Sequence, residues 1–90
     1  MIFPEQIRAA RALLGWSQHE LANATQLGIA TIRRIEGAKG RVTGAANSLW
    51  KIERALEVAG VIFLPEDETG GPGVRLKKEN PEGAEPPRAI

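Results

Sequence analysis

Up to Ala59 the apolar residues of this chain recur at three- and four-residue intervals; from Gly60 the period changes, to a short apolar run at Val61–Leu64 and an apolar–basic alternation at Val74–Lys77. The first regime predicts helices and the second predicts short strands. Pro4-Glu5 opens a first helix, with proline at a position that needs no amide donor and an acid near the positive end of the helix dipole. Ile7, Ala10 and Leu14 recur on one face of it, and Gly15 ends it. Arg8 and Arg11 fall off that apolar face and read as solvated, while Trp16 reads as a plug closing the joint before the next helix.

Ser17 followed three residues later by Glu20 forms a capping box, so a second helix starts at about Gln18. Leu21 and Ala22 face inward, and Asn23-Ala24-Thr25-Gln26 raises the polarity before Leu27-Gly28 breaks the pattern. A third helix then begins at Ile29, with Ile32 and Ile35 on one side. At about 100° per residue, the opposite face is centred on Ala30 and carries Arg33, Arg34 and Gly37, with Ile29 and Thr31 at its margins. Two adjacent arginines among small or apolar groups suit a reading surface. The planar guanidinium can take a phosphate or the O6/N7 edge of guanine with two hydrogen bonds, and small neighbours let the backbone approach a groove floor.

Gly37-Ala-Lys-Gly40-Arg-Val-Thr43 is a glycine-punctuated basic loop that reads equally as a phosphate track, through Lys39 and Arg41, or as a plain connector. Thr43 looks like the cap of a helix over 44–59 whose core face is Leu49, Ile52, Leu56 and Ala59. Trp50, Lys51 and Arg54 lie outside that stripe, and Trp50 reads as a half-buried cover or as part of a self-association surface. Val61-Ile-Phe-Leu64 and Val74-Arg-Leu-Lys77 are strand-like and are joined by a turn, which predicts a β-hairpin. A two-stranded hairpin is marginal in water, so it must pack on the helices or pair with another chain. The last twelve residues, with three prolines and three glutamates, read as a disordered tail that is either inert or folds on a partner.

Charge sharpens this picture once the chain is divided. The net charge is only +1, but residues 1–64 hold eight Lys/Arg against five Asp/Glu, and 65–90 hold four against six. Within 28–54 the count is six basic to two acidic, which concentrates positive charge where contact with a polyanion is expected.

The stretch 17–37 resembles the helix-turn-helix of lambda-repressor-like regulators, the Cro/repressor type or XRE family. The apolar slots Leu21, Leu27, Ile32 and Ile35, the small Ala22 at the helix crossing and Gln18 in the first turn carry the resemblance, which extends over about the first 60 residues. Small regulators of this kind also carry segments like Gly60-Val-Ile-Phe63 and Gly71-Pro-Gly-Val-Arg-Leu-Lys-Lys78 after the last helix. Two departures stand out. Gln26 occupies the turn position that is usually glycine and is expected to adopt a positive φ, and Gly28 replaces the usual Ser or Thr cap.

The resemblance implies a mainly α fold: a compact bundle of four to five helices over 1–60, a β-hairpin over 61–78 as a possible dimerisation element, and a tail over 79–90. It also implies a sequence-specific regulator of double-stranded DNA. Ile29, Ala30, Thr31, Arg33 and Arg34 are expected at the bases, and Gln18, Gly28, Lys39 and Arg41 at phosphates; in the family the residue corresponding to Gln18 touches a phosphate or braces the recognition helix. Two copies would set their 29–37 helices in successive major grooves about 34 Å apart, so the operator should be an inverted repeat. A homodimer would use Trp50, Val61, Phe63, Val74 and Leu76. Repression or autoregulation is expected rather than activation, because nothing obvious remains for a ligand or polymerase domain. The alternative from another class is a protein-interaction module, such as an antitoxin or antiactivator, for which the acidic tail is the main support.

Other chemistry finds no footing. His19 is the only histidine and has no cysteine to complete a metal site or a catalytic set. Gly70-Gly71-Pro72-Gly73 lacks the Lys-Ser/Thr and helix of a phosphate-binding loop and reads as a turn. No enzyme activity, metal or cofactor is expected. Without cysteines, a visible signal peptide or an apolar run of about 20 residues, the chain is expected to be cytoplasmic and not membrane-bound.

Overall fold

The computed structural model describes residues 2–40 and 46–78. Four helices, α1 (Pro4–Leu14), α2 (Gln18–Thr25), α3 (Ile29–Glu36) and α4 (Ala46–Val58), precede an antiparallel pair, β1 (Val61–Leu64) and β2 (Gly73–Leu76). The expected tail over 79–90, Arg41 and the expected cap Thr43 lie outside the described residues. Local sequence accounts for most helix boundaries. Gly15 ends α1 in the left-handed region at φ 72, where it lets the Trp16 N–H reach back to the Arg11 carbonyl at 2.9 Å. At the other end of α1, the Gln6 amide oxygen accepts from the Phe3 N–H at 2.8 Å.

Ile7, Ala10, Leu21, Ile32, Ile35, Ile52 and Leu56 meet in one core contributed by all four helices. Leu14, Trp16, Leu27 and Leu49 pack around its edge. The hairpin closes this core instead of standing apart. Its register pairs Val61 with Leu76 and Phe63 with Val74, which puts those four side chains on one face. β2 lies against α1 and β1 against α4, so Val61 is buried and Phe63 and Val74 are half-buried within their own chain. Val61 is therefore a core residue and is not available to a second subunit. Of the set expected to form a dimer surface, only Trp50 and Leu76 remain exposed. Trp50 is 62% exposed, too open for a half-buried cover.

Gln6 supplies a tie that periodicity does not reveal. Its buried Nε2 donates to the carbonyls of Leu64 at 3.3 Å and Gly73 at 2.9 Å, joining the loop end of the hairpin to the start of α1. None of the described helices is long and apolar enough to cross a membrane.

Candidate nucleic-acid interface

The site is built on α2, its turn and α3. The Glu20 N–H donates to Ser17 Oγ at 3.0 Å while the Ser17 N–H donates to Glu20 Oε1 at 2.7 Å, so the predicted capping box fixes the start of α2. α2 ends at Gln26, which adopts φ 62 and ψ 27, the positive φ expected from the missing glycine. The turn is held by the Leu27 N–H on the Ala22 carbonyl at 3.2 Å and by the buried Thr25 hydroxyl on the Leu21 carbonyl at 2.8 Å. Gly28 then caps α3 with no side-chain acceptor, which leaves the first-turn N–H groups of α3 open to an anion.

Ile32 and Ile35 bury one side of α3 completely, and this fixes what the other side shows. Ala30, Arg33 and Arg34 are exposed. Ile29 and Thr31 are half-buried, and Ile29 packs partly against the core, so these two sit at the rim of the outward face. Gly28, Lys39 and Gly40 are exposed around the two ends of the helix.

Glu36, the only acid on α3, decides the electrostatics of that face. It is 2% exposed and turned away from Arg33 and Arg34, toward α1 and α2. Arg11 grips it with two hydrogen bonds, Nε to Oε2 at 2.7 Å and Nη2 to Oε1 at 2.8 Å, and the hydrogen bonding to Glu36 holds the guanidinium pKa above its ordinary value. Gln18 Nε2 adds a third donor to Oε1 at 3.1 Å. Arg8 donates to the Glu36 backbone carbonyl, and Arg11 Nη1 also reaches the Trp16 carbonyl at 3.0 Å. The acid is thus neutralised inside the bundle, and the exposed charge on α3 is wholly positive.

This network corrects the reading of Arg11 as part of a solvated face, since it reaches Glu36, 25 residues away along the chain; Arg8 is exposed as expected, although it too reaches Glu36. A signal for it was present in the spacing. Glu36 follows Ile32 by four residues and Arg11 follows Ile7 by four, so both occupy stripe positions where an apolar residue would otherwise sit. Gln18 braces α3 through Glu36, and the second N–H of its amide remains available to a phosphate. Among the described residues, no cluster of three or more His, Cys, Asp and Glu side chains could hold a metal ion.

No curated protein matches the chain. A family profile described as helix-turn-helix matches residues 7–63, a span that runs from the buried Ile7 of α1 through the recognition helix to Phe63 of the hairpin. With two short helices crossed at Ala22, a buried face on the second and a bare cationic face turned outward, the chain belongs to the helix-turn-helix family of the Cro/repressor type and is a DNA-binding transcription regulator.

Proposed function

We propose that the chain is a homodimeric repressor or autoregulator that reads an inverted-repeat operator through the major groove. The observation that carries this reading is the outward face of α3, where Arg33 and Arg34 flank the small Ala30 while Glu36 is held inside. Arg33 and Arg34 take guanine edges or phosphates, and Ala30, with Ile29 and Thr31 at the rim, lies close to the bases, where an apolar group suits a thymine methyl. The first turn of α3 after Gly28, Gln18 and Lys39 hold the DNA backbone, and Arg41 extends the same basic loop.

The magnitudes favour a second copy. One recognition helix brings three or four side chains to base edges, and a good bidentate contact discriminates by about 1–3 kcal/mol. Specific sites are typically about 4–10 kcal/mol better than random DNA, a range that two symmetric helices reach with modest contacts and that one helix reaches fully only if nearly all its contacts are good. The exposed rim of the hairpin at Leu76, 38% exposed at the end where β1 begins and β2 ends, is the surface we assign to the second copy. A dimer covering two successive major grooves occludes the DNA beneath it, and repression needs nothing more. A second, compatible reading, in which the chain also holds another protein, draws on the exposed apolar surface of Trp50 at 62% and Val58 at 73%.

Selection from a randomised duplex pool tests the proposal. The expected product is an inverted repeat with half-sites one helical turn apart, bound with an affinity that falls steeply as salt rises. Weak binding without base preference would reject the operator reading.

A further inference from the structure

A groove of about 540 Å³ opens between α2 and α4. Its walls include Trp16 and Trp50, the only two tryptophans in the chain, together with Val58 and Ala59, and Lys51 and Arg54 stand along it. The surface is unusual for a small protein because Trp50 and Val58 are 62% and 73% exposed, on the same helix as two cations. An occupant should therefore be apolar on one side and acidic on the other.

We propose that the segment 79–90 of this same chain, Glu-Asn-Pro-Glu-Gly-Ala-Glu-Pro-Pro-Arg-Ala-Ile, docks in this groove. Its position along the chain argues for this first. The Lys77 N–H donates to the Gly60 carbonyl at 2.7 Å, so the described chain leaves the hairpin beside Gly60, directly after the groove residues Val58 and Ala59. The described chain thus ends close to one end of the groove. The length of the segment is ample. Trp50 and Val58 are eight residues apart on α4, about 12 Å at 1.5 Å per residue, and an extended polyproline-type segment covers that in about four residues at 3.1 Å each.

Composition and spacing complete the argument. Glu79, Glu82 and Glu85 recur every third residue, which is the repeat of a polyproline helix, so they would line one edge of it and face Lys51 and Arg54. Pro81, Pro86 and Pro87 are the rigid apolar rings that aromatic-lined grooves accept at low entropic cost. A second copy of the folded domain fits less well, because two-fold apposition of this face would bring two sets of Lys51 and Arg54 into one interface. The docking does not depend on the operator reading and would hold whatever DNA the chain binds.

The absence of cysteine makes a clean test possible in the full chain. Ala84→Cys carrying a nitroxide label should broaden the Trp50 indole signal and the backbone amides of Lys51 to Ala59 in the NMR spectrum of the isotopically labelled protein. The broadening should persist on dilution, weaken as salt rises, and disappear in the Lys51→Glu/Arg54→Glu variant whose other resonances stay in place. Uniform spectra with no loss at α4 would overturn the proposal. A mixture of spin-labelled chains with isotopically labelled, unmodified ones provides the remaining arm. Broadening at α4 in that mixture would mean that a second copy supplies the segment, and it would overturn docking within one chain.

Discussion

Glu36 shapes the interface by being removed from it. An exposed carboxylate near Arg33 and Arg34 would repel phosphate and compete for the guanidinium groups, whereas the buried one binds α1, α2 and α3 together through Arg11 and Gln18. The ion pair is partly open to water, with Arg11 19% and Glu36 2% exposed, so its net worth is modest while the cost of breaking it is not. Arg11→Ala should destabilise the fold by about 3 kcal/mol, the lower end of what an orphaned buried charge costs, with a clear fall in urea midpoint. Replacing both partners by leucine should recover most of that loss; a double variant as unstable as the sum of the singles would show that the pair is not coupled. At the reading face, Lys39→Ala should weaken binding to every sequence alike and reduce the salt slope by about one, as measured by titration at several salt concentrations. The exposed residues of α3 were legible in the sequence because a helix has only two faces, and Ile32 and Ile35 claim one of them. The Arg11–Glu36 pair was not, because a charged residue on an apolar stripe does not declare its partner 25 residues away.

At the scale of elements, the turn between α2 and α3 carries a conformational cost that glycine would relieve. Gln26 at φ 62 sits where a side chain is disfavoured by about 1 kcal/mol or more. Gln26→Gly should therefore stabilise the protein by about 0.5–1 kcal/mol once the greater freedom of glycine in the unfolded chain is subtracted, which thermal unfolding would register as a rise of a few degrees. The loop between β1 and β2 has its own lock. The Asp67 carboxylate accepts from the Thr69 hydroxyl at 2.8 Å, the Thr69 N–H at 2.8 Å and the Gly70 N–H at 3.0 Å, and these bonds hold its pKa below the usual carboxylate value. Because the folded pKa is the lower one, the stabilisation is fully present above the unfolded value of about 4 and is lost as pH falls through the folded value. Protection of the Thr69 and Gly70 amides, measured relative to their intrinsic exchange rates, should fall across that acidic window in the native chain and show no such step in Asp67→Asn. Local signals made these elements readable: the Ser17–Glu20 box, the glycine stop at Gly15, the short apolar run Val61–Leu64 and the alternation in Val74–Lys77. The placement of the hairpin was not readable, because the Gln6 side chain that anchors it reaches partners 58 and 67 residues away.

At the scale of the molecule, one small core holds a cationic helix face outward and leaves large apolar residues exposed at Leu13 on α1, on the hairpin, with Leu76 at its rim, and along the α2–α4 groove. If the rim joins two copies, Leu76→Glu should shift sedimentation equilibrium toward monomer and weaken operator binding while leaving the helical content unchanged. A variant that still dimerises as tightly as the native chain would move the interface elsewhere. The central proposal is that α3 reads bases with its outward arginines. Its most direct test is to run the duplex selection in parallel on the native chain, Arg33→Ala and Arg34→Ala. The account predicts that at least one variant loses preference at a single position, repeated symmetrically in both half-sites, at a cost of about 1–3 kcal/mol per altered contact, while the rest of the operator is recovered unchanged. If both variants recovered the same operator as the native chain with the same base preference at every position, the arginine face of α3 would not be the reading surface.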